Sequence, residues 1–138
     1  MNALIDTSAL IWAERGPGGP EVGELRLRIA AGEVGLCAPV ELEVLRGVNT
    51  PAAHAELADR LCGFPHLQIG DATFIRALAI QRELAALPGP RHRSVAPTDL
   101  LVAAAAIDAE LPILHRDRDF EAIAEVTGQP QRWVGPRA

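Results

Sequence analysis

Apolar residues occur along this chain as short runs that alternate with stretches of helical periodicity, and that alternation predicts strand and helix in turn. Residues 2–6 form an apolar run ending in Asp6-Thr7-Ser8, and Ala9, Leu10, Ile11 and Trp12 continue at helical spacing, so strand, turn and helix are expected there. Asp6 then stands at the strand's carboxyl end. Residues 16–20, Gly-Pro-Gly-Gly-Pro, read as a flexible break, and Leu25, Ile29 and Ala30 give the next helix its face up to Gly32. A second strand is expected over Val34 to Ala38. Pro39 suits the first turn of a helix reaching about Arg46 with Gly47 at its end, and Thr50-Pro51 opens another that runs through Cys62.

A third strand is expected over His66 to Ile69. Asp71 is expected to cap a long helix with Phe74, Ile75, Leu78 and Leu84 on its apolar side. Residues 88–94 read as a loop, and Pro97 opens a helix from Leu100 to Ala109 so apolar that it belongs in the core. A short strand over residues 112–114 leads to His115–Asp119, followed by a helix from Phe120 to Val126 and a last strand near Gln131 to Val134. The pattern predicts an α/β sandwich around a mostly parallel sheet of about five strands, a single domain over residues 1–138. In such folds the site lies beyond the carboxyl ends of the strands.

Composition adds limits. The chain has 138 residues, 49% hydrophobic and 22% charged, and no apolar run approaches the roughly 18 residues that a transmembrane helix needs. No membrane role is expected. The amino terminus lacks a basic region and reaches Asp6 too early for a secretory leader, so a cytoplasmic location is expected. Cys37 and Cys62 have no metal-ligand spacing and are expected as core residues without a bridge. The net charge of −5 argues against broad electrostatic binding of nucleic acid. It leaves open a site whose carboxylates are neutralised by a bound cation. All 13 basic residues are Arg.

Two acidic positions fall at strand carboxyl ends, Asp6 and the Asp117/Asp119 pair, and two near helix amino-terminal ends, Glu43 and Asp99. That places them on one edge. Asp and Glu gathered without His or Cys suit Mg²⁺ or Mn²⁺, which take oxygen ligands and bind phosphate alongside carboxylates. Each residue has another reading. Asp6 equally suits a helix cap, as does Asp119, and Asp117 between Arg116 and Arg118 equally suits a solvated ion pair. Glu41 and Glu43 point to nearly opposite sides of one helix, and Glu43 is preferred because Gly47 leaves room one turn beyond it. Asp99 precedes the most apolar helix, where an unpaired carboxylate is costly.

Residues 4–10 (LIDTSAL), 41–47 (ELEVLRG), 98–105 (TDLLVAAA) and 115–120 (HRDRDF) resemble, in this order, the signatures of PIN-domain ribonucleases, in particular the VapC toxin family. The resemblance spans essentially the whole chain. It implies a PIN-like α/β/α sandwich, with Asp6, Glu43, Asp99 and Asp117 as catalytic acids and Asp119 joining them as a metal ligand. Many relatives carry Thr at the place of His115 and Asn at the place of Asp117, so this segment departs from the commonest pattern. His115 reads as a polar strand-end side chain or a phosphate contact. Thr7 and Ser8 suit either a cap or a metal-bound water, and Arg91, His92, Arg93, Arg116 and Arg118 are candidate RNA contacts on loops near the acids.

The resemblance further implies a Mg²⁺- or Mn²⁺-dependent endoribonuclease cutting tRNA or ribosomal RNA, a homodimer, and a small VapB-like antitoxin partner. Two other classes remain. A non-catalytic PIN-like module binding RNA or protein is one. The other is a Mg²⁺-dependent phosphatase of the haloacid dehalogenase type, which wants a second Asp two residues after the first, where this chain has Ser8.

Overall fold

The computed structural model describes residues 1–16, 18–89 and 91–137. Pro17 and Pro90, which belong to the break and the loop expected from sequence, lie outside the described residues. The elements run β1 (Ala3–Ile5), α1 (Thr7–Arg15), α2 (Pro20–Ala30), β2 (Val34–Gly35), α3 (Ala38–Arg46) and α4 (Pro51–Leu61), continuing with α5 (Asp71–Ala85), α6 (Arg91–Ser94), α7 (Pro97–Asp108), β3 (Ile113–His115), α8 (Arg118–Thr127) and β4 (Gln131–Trp133). The strands form one parallel sheet in the order β2-β1-β3-β4. All three residues of β1 and of β3 are buried, as expected of central parallel strands covered by helices on both faces.

The expected third strand shrinks to a single bridge between Leu36 and His66, with the Leu67 N–H on the Leu36 carbonyl at 2.9 Å. The cause is local. β2 leaves the sheet at Cys37 to start α3, so the later residues find nothing to pair with. The residues expected as loop contain the short turn α6. Thr50 caps α4 as its sequence predicts, accepting the Ala53 N–H at 3.1 Å. Asp71 does not cap α5. Gly70 holds that place, its N–H on Thr73 Oγ1 at 3.2 Å, while Asp71 is the first helical residue.

The face that α5 buries is also not the expected one. Thr73, Ala77, Ile80 and Leu84 point inward, and Phe74, Ile75 and Leu78 are 52%, 70% and 63% exposed. Small residues decide this. α5 lies along α7, whose Ala103, Ala104, Ala105 and Ala106 are buried, and Ala77 and Thr73 allow the close approach that larger side chains forbid. α7 is the core helix its composition predicted. Cys37 is buried as expected, whereas Cys62 is exposed at the end of α4, and both are free thiols. Among the described residues no helix is long and apolar enough to cross a membrane.

Candidate active site

The register of the sheet sets the site. Ile5 pairs with Leu114, which places Asp6 level with His115 at the carboxyl ends of the two central strands. The Asp6 N–H donates to the Leu114 carbonyl at 3.1 Å. Asp6 is both cap and site residue. Oδ1 accepts the Ala9 N–H at 3.0 Å, and the Ser8 hydroxyl lies 2.9 and 2.8 Å from the two carboxylate oxygens. Burial pushes the Asp6 carboxyl up to about 6, against the lowering effect of those bonds and with help from the negative charge of Asp117.

Asp99, in the first turn of α7, is 9% exposed. Burial, then the charges of Asp117, Asp6, Asp119 and Glu43, push its carboxyl up to about 8. One carboxyl thus feels the other four, which is the electrostatic signature of a shared space. Asp99, Asp117 and Asp119 each bring an oxygen within 4.8 Å of one another. Burial, then the charge of Asp117, push the Asp119 carboxyl up as well, against a lowering effect of the neighbouring Asp99 side chain. Glu43 is half-buried and accepts the Thr7 hydroxyl at 3.2 Å. Glu41 lies elsewhere, bonded to His66 Nε2, whose ring meets the Phe64 carbonyl through Nδ1 at 2.8 Å.

The five sequence-predicted acids therefore converge, with two changes. Asp117, not Asp119, caps α8, its Oδ1 accepting the Asp119 N–H at 2.9 Å. Asp119, read from sequence as a possible cap, is one of the three closest acids.

The predicted substrate contacts fare less well. His115 is fully buried and out of reach of a phosphate. Thr7 and Ser8 donate their hydroxyl hydrogens to Glu43 and Asp6, which leaves neither to bind substrate as donor. Arg116 turns inward. Its guanidinium lies 5.0 Å from the Trp12 ring and 5.5 Å from Trp133, and Nη1 donates to the Val134 and Pro136 carbonyls at 2.6 and 3.0 Å. Arg91 is paired with Glu125 at 3.1 Å, and His92 beside it is half-buried. Arg93 and Arg118 are exposed and without an ion pair among the described residues, and Arg118 directly flanks Asp117 and Asp119. Nothing in the local sequence signals the inward role of Arg116, which depends on the distant Trp12, Val134 and Pro136.

Two ionised carboxylates within 4.8 Å of each other repel by at least about 3 kcal/mol at an effective dielectric near 20. A donor set of carboxylate oxygens, mutually repelling and partly protonated, fits a hard divalent cation.

A family model described as the PIN domain matches residues 3–126. Among curated proteins the chain is 40% identical over 138 residues to Ribonuclease VapC18 of Mycobacterium tuberculosis, covering 99% of this chain and 98% of that protein. It is 36% identical over 126 residues to Ribonuclease VapC11 of the same species, covering 90% and 92%. Among solved structures, DNA-bound VapBC from Salmonella typhimurium superposes with a TM-score of 0.73 at 18% identity, covering 96% of this chain and 97% of that one. A toxin–antitoxin complex from Klebsiella pneumoniae gives 0.65 at 21%, covering 86% and 89%. The fold, the converging acids and these matches together make the chain a member of the PIN-domain family, within its VapC ribonuclease branch.

Proposed function

We propose that this chain, one PIN domain over residues 1–138, is an endoribonuclease toxin that hydrolyses phosphodiester bonds in cytoplasmic tRNA or ribosomal RNA and is neutralised by a cognate VapB-like antitoxin. The convergence of five carboxylates at one edge of the sheet carries this reading. Asp6, Glu43, Asp99 and Asp117, with Asp119, would hold Mg²⁺ or Mn²⁺. A bound ion of this kind lowers the pKa of a water molecule and stabilises charge on the attacked phosphate. Ser8 and Thr7 orient Asp6 and Glu43 by hydrogen bonds, and Arg118 supplies positive charge for a phosphate beside the cut. An acidic pocket of this kind also accepts an antitoxin Arg, which would displace the metal.

The alternatives find less support. A binding module without catalysis would have no use for acids held together against their own repulsion. In a phosphatase of the haloacid dehalogenase type, a second Asp would stand where Ser8 donates to Asp6. The test is induction of the chain in cells with mapping of new 5′ ends across the transcriptome, with Asp6→Ala as control. New ends bearing 5′-phosphate, absent from the control, are expected. Identical ends from both proteins, or products with 2′,3′-cyclic phosphate, would sink the reading.

The exposed apolar residues Leu42, Phe74, Ile75 and Leu78 supply a face for a second copy of the chain. Leu42 and Phe74 also line a groove of about 410 Å³ that runs past Glu43 and Thr98. The double variant Ile75→Glu with Leu78→Glu is expected to sediment as a monomer where the parent sediments as a dimer. A variant that stays dimeric would move the interface elsewhere.

A further inference from the structure

β3 delivers two of the five acids, yet the turn that carries them, residues 116–119, lies beyond the last ladder bond of the sheet. Three of its four amides are held by side chains. The Arg116 N–H donates to Ser8 Oγ at 2.9 Å, the Asp117 N–H to His115 Nδ1 at 3.0 Å, and the Asp119 N–H to Asp117 Oδ1 at 2.9 Å. The middle bond is the unusual one, because a ring nitrogen takes the place a carbonyl or hydroxyl commonly fills.

The His115 ring is well fixed for that purpose. Nδ1 accepts an N–H and therefore carries no hydrogen, so the ring hydrogen is on Nε2, which bonds to Gln131 Oε1 on the neighbouring strand β4. Phe120 packs against one side with ring centroids 5.2 Å apart, and the Trp133 ring meets it edge-on at 5.8 Å. Full burial excludes any direct role in holding substrate.

We propose that His115 is a positioning residue: through Nδ1 it fixes the Asp117 amide, and thereby aims the Asp117 carboxylate and the Asp119 backbone that hangs from it into the acid cluster. Gln131 acts one step further out by fixing which ring nitrogen is free to accept. The nuclease reading enters only through the cleavage assay below. The other two measurements stand without it.

Two substitutions separate the nitrogens. In His115→Asn the side-chain oxygen sits near the place of Nδ1 and still accepts the Asp117 N–H, but nothing reaches Gln131. In His115→Gln the amide nitrogen reaches toward Gln131, and nothing accepts the Asp117 N–H. A purely structural role predicts similar losses for both, since each breaks one of two hydrogen bonds. Positioning predicts a split. His115→Gln is expected to bind Mn²⁺ at least about 10-fold more weakly by calorimetry and to lose kcat by a similar factor with KM little changed. His115→Asn is expected to stay within about threefold of the parent in both. Parallel losses in the two variants, or unchanged Mn²⁺ binding in both, would overturn the proposal.

The parent protein gives a reading that no folding defect can obscure. The Asp117 amide, outside any helix or sheet ladder bond, should be protected from hydrogen exchange in the metal-free protein, and exchange at the rate of an unstructured chain would overturn the proposal. Should the parent cut no RNA at all, the proposed function fails, while the exchange and Mn²⁺ measurements still decide the role of His115.

Discussion

Asp99→Asn is expected to slow RNA cleavage by about 10³-fold or more while making the metal-free protein more stable. The two effects share a cause. The Asp99 carboxyl is pushed from its ordinary value of 3.8 up to about 8, first by burial and then by the other acids. Between those values the folded chain binds more protons than the unfolded one. Its contribution to stability is therefore full below about pH 4 and is lost as pH rises through about 8. Asp6, pushed up to about 6, adds to the loss in the lower part of that window.

Asn carries no charge at any of these pH values. The gain from Asp99→Asn should thus be near zero at pH 4 and about 2 kcal/mol at pH 8, or roughly 5–10 °C in melting temperature for a domain of this size. Melting curves at the two pH values, without metal, read it directly. A variant that melts below the parent at pH 8 would show that Asp99 is not held against like charge. One that still cuts RNA would remove Asp99 from the site.

Arg116→Ala is expected to do the opposite, destabilising the fold by about 2–4 kcal/mol with RNA affinity nearly unchanged. The guanidinium stacks on Trp12 and Trp133, contacts worth about 0.5–2 kcal/mol each. It also donates two charge-assisted bonds to the carbonyls of Val134 and Pro136. Gly135 between them has φ +71°, and a Cβ there would lie 2.6 Å from the Trp12 ring and 2.9 Å from Arg116 Nη1, so the wrap is tight. Arg137 continues it, 4.2 Å over Trp133 and bidentate to Glu121 at 3.1 Å, a pairing that holds the Glu121 carboxyl below its ordinary value. Arg116→Lys should recover less than half of the loss, because an ammonium offers no planar face and no fork. Arg118→Ala should show the reverse pattern, weaker RNA binding at unchanged melting temperature. If Arg116→Ala weakened RNA binding and left stability alone, the side chain would have to face substrate after all.

These two residues also mark how far the sequence could be read. Asp6, Asp99 and the Asp117/Asp119 pair were legible because each follows an apolar run or lies in the first turn of a helix, which places them on one edge, while Glu43 lies mid-helix in α3. Glu43 was separable from Glu41 by helix geometry, and the structure sends Glu41 to His66. Arg116 was read as an RNA contact and His115 was left between a polar strand-end side chain and a phosphate contact, because the direction of a side chain at a strand end depends on partners more than a dozen positions away, Val134 and Gln131 among them. Local pattern carries no trace of such pairs. The buried face of α5 failed for a different reason. Hydrophobicity selects the largest side chains, but the packing of one helix on an alanine-rich neighbour selects the smallest. The lost third strand shows the same limit, since whether residues 66–69 pair depends on where β2 turns away.

Ser8 and Arg116 are bonded across 108 positions of chain, and Asp6 meets its partners only when β3 has docked beside β1. Asp6, Glu43 and Asp99 lie within the first hundred residues, but Asp117, Asp119 and the strand that sets them beside Asp6 do not. A nascent chain would therefore carry Asp6 and Glu43 out of the ribosome as unassembled acids, and competence would arrive only once α8 and β4 had emerged and folded back. Any activity of the acid cluster would thus switch on late, with the docking of β3 beside β1.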